Sequence, residues 1–303
     1  MSPNSPSAAA AGVGARQPRM NPMVNAYRAG LRRGMISTRI QMTSTSEILG
    51  TLIPIAVLIG VLLFLRRSTF EGAEVALGAM GLPSIIALGT LFSAVMGISG
   101  LLAMDRTNGT LLRSKSVPGG TTGYLVGEIT ANAILTVIQA LLVLTVGLIL
   151  FPELEFASPG RWLLFTLVLL IGLVATLAIG AIAGALVNGP KNMALVMLPT
   201  MLLMGISGIF YPLVALAGWV QVIAQIFPLY WFGLGMRAAL LPDSMAAVEV
   251  GGSWRLEWVF IVLIAWSIVG LALAPKLLSR MARRESGSTL AARREGLQRD
   301  WGV

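Results

Sequence analysis

Residues 162–187 read WLLFTLVLLIGLVATLAIGAIAGALV, a run of 26 positions without a charged side chain. A helix needs roughly 20 apolar residues to cross about 30 Å of hydrocarbon, so this run is long enough to span a bilayer. Five further runs of similar character flank it: Ile48–Leu65, Met80–Ala103, Ile129–Phe151, Met193 to about Phe210, and Trp258 to about Pro275. The whole chain is 56% hydrophobic and only 12% charged, with a mean hydropathy of +0.82. That is more apolar surface than a soluble fold of 303 residues could bury. The expected fold class is therefore all-α integral membrane, with six transmembrane helices.

The uncharged stretch from Asn192 to Met236 is too long for one span, and Pro199, Pro212 and Pro228 punctuate it. It is expected to hold one spanning helix followed by a partly re-entrant segment, where Gly, Pro, Trp and Tyr suit interfacial depth. Charge then orients the bundle. With the N-terminus inside, the inner segments carry 17 of the 22 Lys and Arg, leaving Arg66, Arg67, Arg161, Arg237 and Arg255 outside. Cytoplasmic flanks of membrane helices carry the excess of basic residues, which predicts that both termini are cytoplasmic. The same distribution explains the net charge of +9 without a nucleic acid partner, because the basic residues sit in tails and short loops.

Residues 1–22 are rich in Ser, Pro, Ala and Gly and carry no periodic apolar pattern, as expected of a disordered tail. Val24, Tyr27, Leu31, Met35 and Met42 then recur at helical spacing, with Arg28, Arg32 and Arg39 along one flank. This pattern predicts an amphipathic helix over 23–45, lying in the interface with its guanidinium groups toward lipid phosphates or packed on a partner.

Several chemistries are excluded. The chain has no histidine and no cysteine, so imidazole or thiolate metal sites and Ser-His or Cys-His nucleophiles are absent. Gly-Ile-Ser-Gly occurs at 97–100 and again at 205–208, similar to the motif of rhomboid proteases, but no histidine exists to activate the serine. Ser99 and Ser207 are better read as small residues that allow close packing or bond back to a carbonyl. There is no Gly-rich Lys-Ser/Thr phosphate loop, so the chain is not expected to be an enzyme or to bind a cofactor itself.

The segment after the second span reads DRTNGTLLRSKSVPGG from Asp105 to Gly120. In it Asp105, Arg106, Gly109, Thr110, Leu111 and Pro118 fall in an order that resembles the corresponding loop of type-2 (ABC-2-type) ABC transporter permeases, followed by Tyr124 and Gly127. A second match lies beyond the fifth span, at Ser207, Gly208, Phe210, Pro212, Trp219, Pro228, Leu229 and Arg237. The family often has an asparagine shortly before that proline, where this chain has Ile-Phe. The resemblance covers residues 24 to 275.

The resemblance implies the permease of an ATP-driven exporter, paired with a second copy or a paralogue and seated on two cytosolic ATP-binding subunits that hold the ATP and Mg. It assigns ATPase coupling to Asp105, Arg106, Gly109, Thr110 and Leu111, and also to Arg28, Arg32 and Arg33 on the interfacial helix. The organisation that follows is a transmembrane domain over 46–275 with a coupling loop at 105–122 and an outer re-entrant segment at 207–237. That segment includes Phe210, Pro212, Pro228 and Arg237, and a basic cytoplasmic tail occupies 276–303.

Two intramembrane features bear on a translocation path. Asn132 and Gln139 lie seven residues apart on the third span and share roughly one face, with Glu47 and Glu128 near the inner interface. They read either as a polar strip facing cargo or as interhelical hydrogen bonds. Met193, Met197, Met201 and Met204 fall on one face of the fifth span, as a flexible thioether surface for apolar cargo or as ordinary packing. The first, second and fifth spans hold little aromatic surface beyond Phe64, Phe92 and Phe210, which disfavours stacked sugars and favours a drug, antibiotic or lipid. A non-transporting membrane scaffold and an ion-coupled carrier are the alternatives, the latter lacking a titratable site near the midplane. The Arg-rich, Ala- and Gly-rich composition points to the cytoplasmic membrane of a bacterium.

Overall fold

A computed structural model describes residues 22–66, 77–117, 119–209 other than 153, 155 and 157, 213–284, 286–288 and 291. Residues 1–21 of the expected tail over 1–22 lie outside the described residues, as do Pro118, Phe210 and Pro212, and Pro22 begins the first helix. Among the described residues the regular structure is helical. In chain order the α-helices are α1 (Pro22–Thr43), α2 (Thr45–Leu65), α3 (Leu77–Asn108), α4 (Thr110–Ser114), α5 (Gly120–Leu150), α6 (Pro159–Leu186), α7 (Ala194–Ile206), α8 (Gly218–Ile226), α9 (Pro228–Leu240) and α10 (Leu256–Arg284).

Five of these, α2, α3, α5, α6 and α10, are long and apolar enough to cross a membrane, and the bent pair α8–α9 makes six at most. The expected fifth span is shorter than the sequence suggested. With its leading 3-10 turn it covers Pro190–Ile206, and it stops where Ser207 and Gly208 turn the chain, Gly208 at φ +66°. The expected re-entrant segment is a pair of helices, α8 and α9, meeting at 87°. Conversely, α10 passes through Pro275 and continues to Arg284, so the first part of the expected basic tail is helical. A proline inside a helix removes one backbone hydrogen bond but does not end it when neighbours hold the rest.

Local signals account for the helix starts. Ser158 accepts a hydrogen bond from the Arg161 amide at 3.3 Å ahead of Pro159, an N-cap followed by the proline that favours a first turn. Pro228 starts α9 in the same way. The segment read as the coupling loop is mostly helix: Asp105–Asn108 form the last turn of α3, Gly109 reverses the chain at φ +76°, and α4 follows.

The bundle has two ends. At one, the C-termini of α3, α6 and α10 meet the N-terminus of α5 around Leu111 of α4, which is buried with Ile98, Leu102, Tyr124, Leu278 and Met281. At the other, all thirteen residues of α9 are buried, packed against α3, α6 and α10. Lipid tails give no hydrophobic drive for helices to associate, so close contacts at small residues carry the packing. A Cβ on Gly180 of α6 would lie 2.5 Å from the Ala94 carbonyl oxygen of α3, and Ser99 donates to the Gly180 carbonyl at 3.1 Å. On α9, a Cβ at Gly235 would strike Val168 and Val259, both at 2.9 Å.

The helix α1 does not pack through its apolar stripe. Val24, Tyr27, Leu31, Met35 and Met42 are exposed, while Ala26, Gly30, Gly34 and Thr38, spaced at every fourth residue, are buried. This small-residue edge rests on α5: a Cβ on Gly30 would lie 2.6 Å from the Gly123 carbonyl oxygen, and one on Gly34 2.8 Å from that of Gly127. Gly34→Leu should therefore lower stability by about 1–3 kcal/mol through overpacking, whereas Met35→Leu, one position away on the exposed face, should leave it unchanged. Thermal unfolding in detergent measures both.

Candidate functional site

Three helices converge on a group of polar side chains at the α4 end. Arg33 of α1 donates to Glu128 of α5 at 2.9 Å and lies 4.7 Å above the ring of Tyr124. Tyr124, buried, donates its hydroxyl to the carboxylate of Asp105 on α3. A guanidinium, two carboxylates and a phenol thus tie α1, α5 and α3 together at one level. Arg33 and Asp105 were expected at this end from the sequence; that Tyr124 and Glu128 join them was not. The signal was present in the spacing of Tyr124 and Glu128, which lie on one face of α5 as an i, i+4 pair.

The other residues expected to contact an ATPase divide by exposure. Arg28 and Arg32 are exposed and border an open concavity on α1. Thr110 is half-buried, and Gly109 and Leu111 are buried, with Leu111 anchoring α4 from below. Arg106 departs from the expectation, because only 3% of it is exposed and it points into the protein. Its guanidinium donates to the carbonyls of Ala185, at 2.9 Å, and Val187, and to Asn188 Oδ1 at 3.3 Å. A cation at the C-terminus of a helix satisfies carbonyls that lack intrahelical partners and opposes the negative end of the dipole. Arg106 is thus a clamp on the end of α6 rather than a surface contact.

Between α2, α3 and α5 lies a cleft of about 580 Å3, reaching up to the α1–α2 junction. Its apolar walls include Leu52, Met96, Leu135, Ile138 and Leu142. Its polar strip joins α3 to α5: Ser93 donates to Gln139 Oε1 at 2.6 Å, and Asn132 Nδ2 donates to the Ser93 carbonyl at 3.4 Å. Gly97 makes room for this arrangement, since a Cβ there would fall 2.1 Å from Asn132 Nδ2. Asn132 and Gln139 therefore both border the cleft and bond across helices.

The methionine face does not border this cleft. Met193 and Met204 are half-buried against Leu88, Leu91, Val95 and Val196, whereas Met197 and Met201 are exposed. One face of α7 is thus split between packing on α3 and open surface.

At the α9 end, arginines again hold backbone and neighbours. Arg237 is buried and donates to Glu249 at 2.7 Å and to Ser84 of α3 at 3.2 Å. Arg161 donates to the carbonyls of Ala238 and Leu241, at the C-terminus of α9, and reaches Asp243 at 3.3 Å. Arg255, at φ +41°, bonds Gln225 at 3.0 Å and the Tyr230 hydroxyl at 2.6 Å, and covers the Trp231 ring at 4.8 Å. Pro228 begins α9 and is buried.

The model of the family described as ABC-2 family transporter protein matches residues 65–274, which include α3, α5 and α6, most of α10, the 105–120 segment and the α8–α9 pair. The chain belongs to the ABC-2 transporter family. It is a multi-pass membrane permease, the transmembrane component of such a transporter and not a catalytic domain, and permeases of this family generally work with ATP-binding subunits. Comparison with curated proteins finds no match.

In this permease Arg237 ties α9 to the segment after it through Glu249 and to α3 through Ser84. Removing one partner of a buried pair leaves an uncompensated charge and costs about 3–5 kcal/mol. Arg237→Ala and Glu249→Ala should each destabilise on that scale, and the double variant should lose less than the two single losses combined. A double-mutant cycle on unfolding in detergent measures the difference.

Proposed function

We propose that this chain is the permease subunit of an ATP-driven exporter that moves a hydrophobic or amphipathic substrate, such as a drug, antibiotic or lipid, across the cytoplasmic membrane of a bacterium. One observation carries the reading beyond family membership. The helices that wall the cleft, α3 and α5, are the same two whose ends are joined by Tyr124 and Asp105 beneath α4. A force passed from α4 to the packed ends of α3 and α5 would reach the cleft along those two continuous helices.

In this reading the α4 end faces the cytoplasm, and both termini lie on that side. Two ATP-binding subunits, carrying ATP and Mg, press on α4 and on the exposed Arg28 and Arg32 of α1. A second permease copy or a paralogue completes the path, and the exposed Met197 and Met201 of α7 are available to it. The chain itself binds no cofactor and no nucleic acid. The re-entrant pair α8–α9 closes the outer end. ATP does work here only through contacts that differ between inward- and outward-facing states.

The complex of permease and ATPase, purified and placed in vesicles, tests the coupling. Asp105→Arg should leave ATP hydrolysis measurable while lowering transport per ATP by at least about tenfold, within the usual range of a coupling free energy. Equal loss of both, or of neither, counts against the assignment. Orientation is checked separately in this cysteine-free chain: Arg113→Cys should label with an impermeant thiol reagent only from the cytoplasmic side, and Asp243→Cys only from the outside.

A further inference from the structure

The cleft between α2, α3 and α5 has an uneven electrical character. Glu47, in the first turn of α2, stands at its mouth and has no ion-pair partner among the described residues. Among the described residues no Lys or Arg borders the cleft, although α1 runs alongside. On the wall, Asn132 holds the Ser93 carbonyl through Nδ2, and its Oδ1 is buried without a hydrogen-bond partner. Phe92 of α3 adds a partly exposed ring, whose face attracts cations. Behind these groups the lining is aliphatic, around Leu135 and Leu142.

We propose that this cleft selects amphipathic organic cations: a cationic group held near the Glu47 carboxylate at the mouth, and an apolar or aromatic body laid along Phe92, Leu135 and Leu142. The assignment rests on the reading of the cleft as the cargo site and narrows it, because an anionic amphiphile of the same size would meet the Glu47 carboxylate with no cation in the described lining to receive it. A charge pair at the margin of a low-dielectric cleft outweighs the same pair in water, while the exposure of Glu47 keeps the effect modest.

The full chain in nanodiscs of zwitterionic lipid is titrated with tetraphenylphosphonium and with tetraphenylborate, two ions of similar shape and opposite charge, with empty nanodiscs as background. The cation should bind saturably and at least about fivefold more tightly than the anion. Glu47→Gln should bring the two within about twofold. Leu135→Trp should fill the cleft and remove saturable binding. Equal or tighter binding of the anion, or an unchanged ratio in Glu47→Gln, overturns the proposal.

Transport by the ATPase-bound complex separates this outcome from failure of the cargo site itself. If Leu135→Trp abolishes transport while the ions bind alike, the cleft remains a cargo site and its charge preference alone falls. If transport survives Leu135→Trp, the cleft is not the path and the cation proposal falls with it. Leu142→Trp replaces Leu135→Trp should the latter melt below the parent protein.

Discussion

Where α1 crosses α5, Gly30 and Gly34 lie against the carbonyl oxygens of Gly123 and Gly127, so close that neither could carry a methyl group without a shift. Contact of this kind is what a membrane protein has available in place of the hydrophobic effect, since lipid chains solvate an apolar helix as well as another helix does. The same device recurs where Gly180 and Gly184 of α6 meet α3, and where Gly172 of α6 receives the ring of Phe232 from α9. Short interhelical distances at these points bring polar groups within reach of one another. The Arg33–Glu128 pair lies across the α1–α5 gap that Gly30 and Gly34 hold short.

Charged residues in this fold are placed as ties. Arg106 holds the C-terminus of α6, Arg161 holds the C-terminus of α9, and Arg237 joins α9 to α3 through Ser84 while pairing with Glu249. Each satisfies carbonyls or carboxylates that would otherwise be stranded in a medium without water. Sequence counting treats all arginines as topological markers, yet several at the flanks of the spans are structural. Arg106 shows the difference most clearly: a family pattern placed it among surface contacts, and its environment turns it inward.

The apolar runs were legible because a 20-residue window without charge has few alternatives in a chain of this composition. The turn after the seventh helix was harder to place, since Ser207 and Gly208 interrupt a run that stays uncharged beyond them and hydropathy does not register a left-handed glycine. The edge by which α1 rests on α5 was not read from the sequence for a related reason: a helix set against another in lipid packs through its smallest residues, and Ala26, Gly30, Gly34 and Thr38 form a less conspicuous pattern than the large apolar residues. Asn132 and Gln139 were located by cost, as amides at membrane depth. Their partner Ser93 sits on a different helix, and a single sequence carries no record of which helices are neighbours.

The second long helix, α3, runs unbroken from Leu77 to Asn108 and carries the cleft wall at Phe92 to Gly97 and the charged turn at Asp105 on one rod. At 1.5 Å per residue its 32 residues measure about 48 Å. A rod of that length would act as a lever: pivoted near one end, a tilt of roughly 5° would carry the other end through about 4 Å, about three-quarters of the height of one helical turn. Motions too small to disturb the packing of any single side chain at the pivot are thereby enlarged to the size of a molecular opening at the far end.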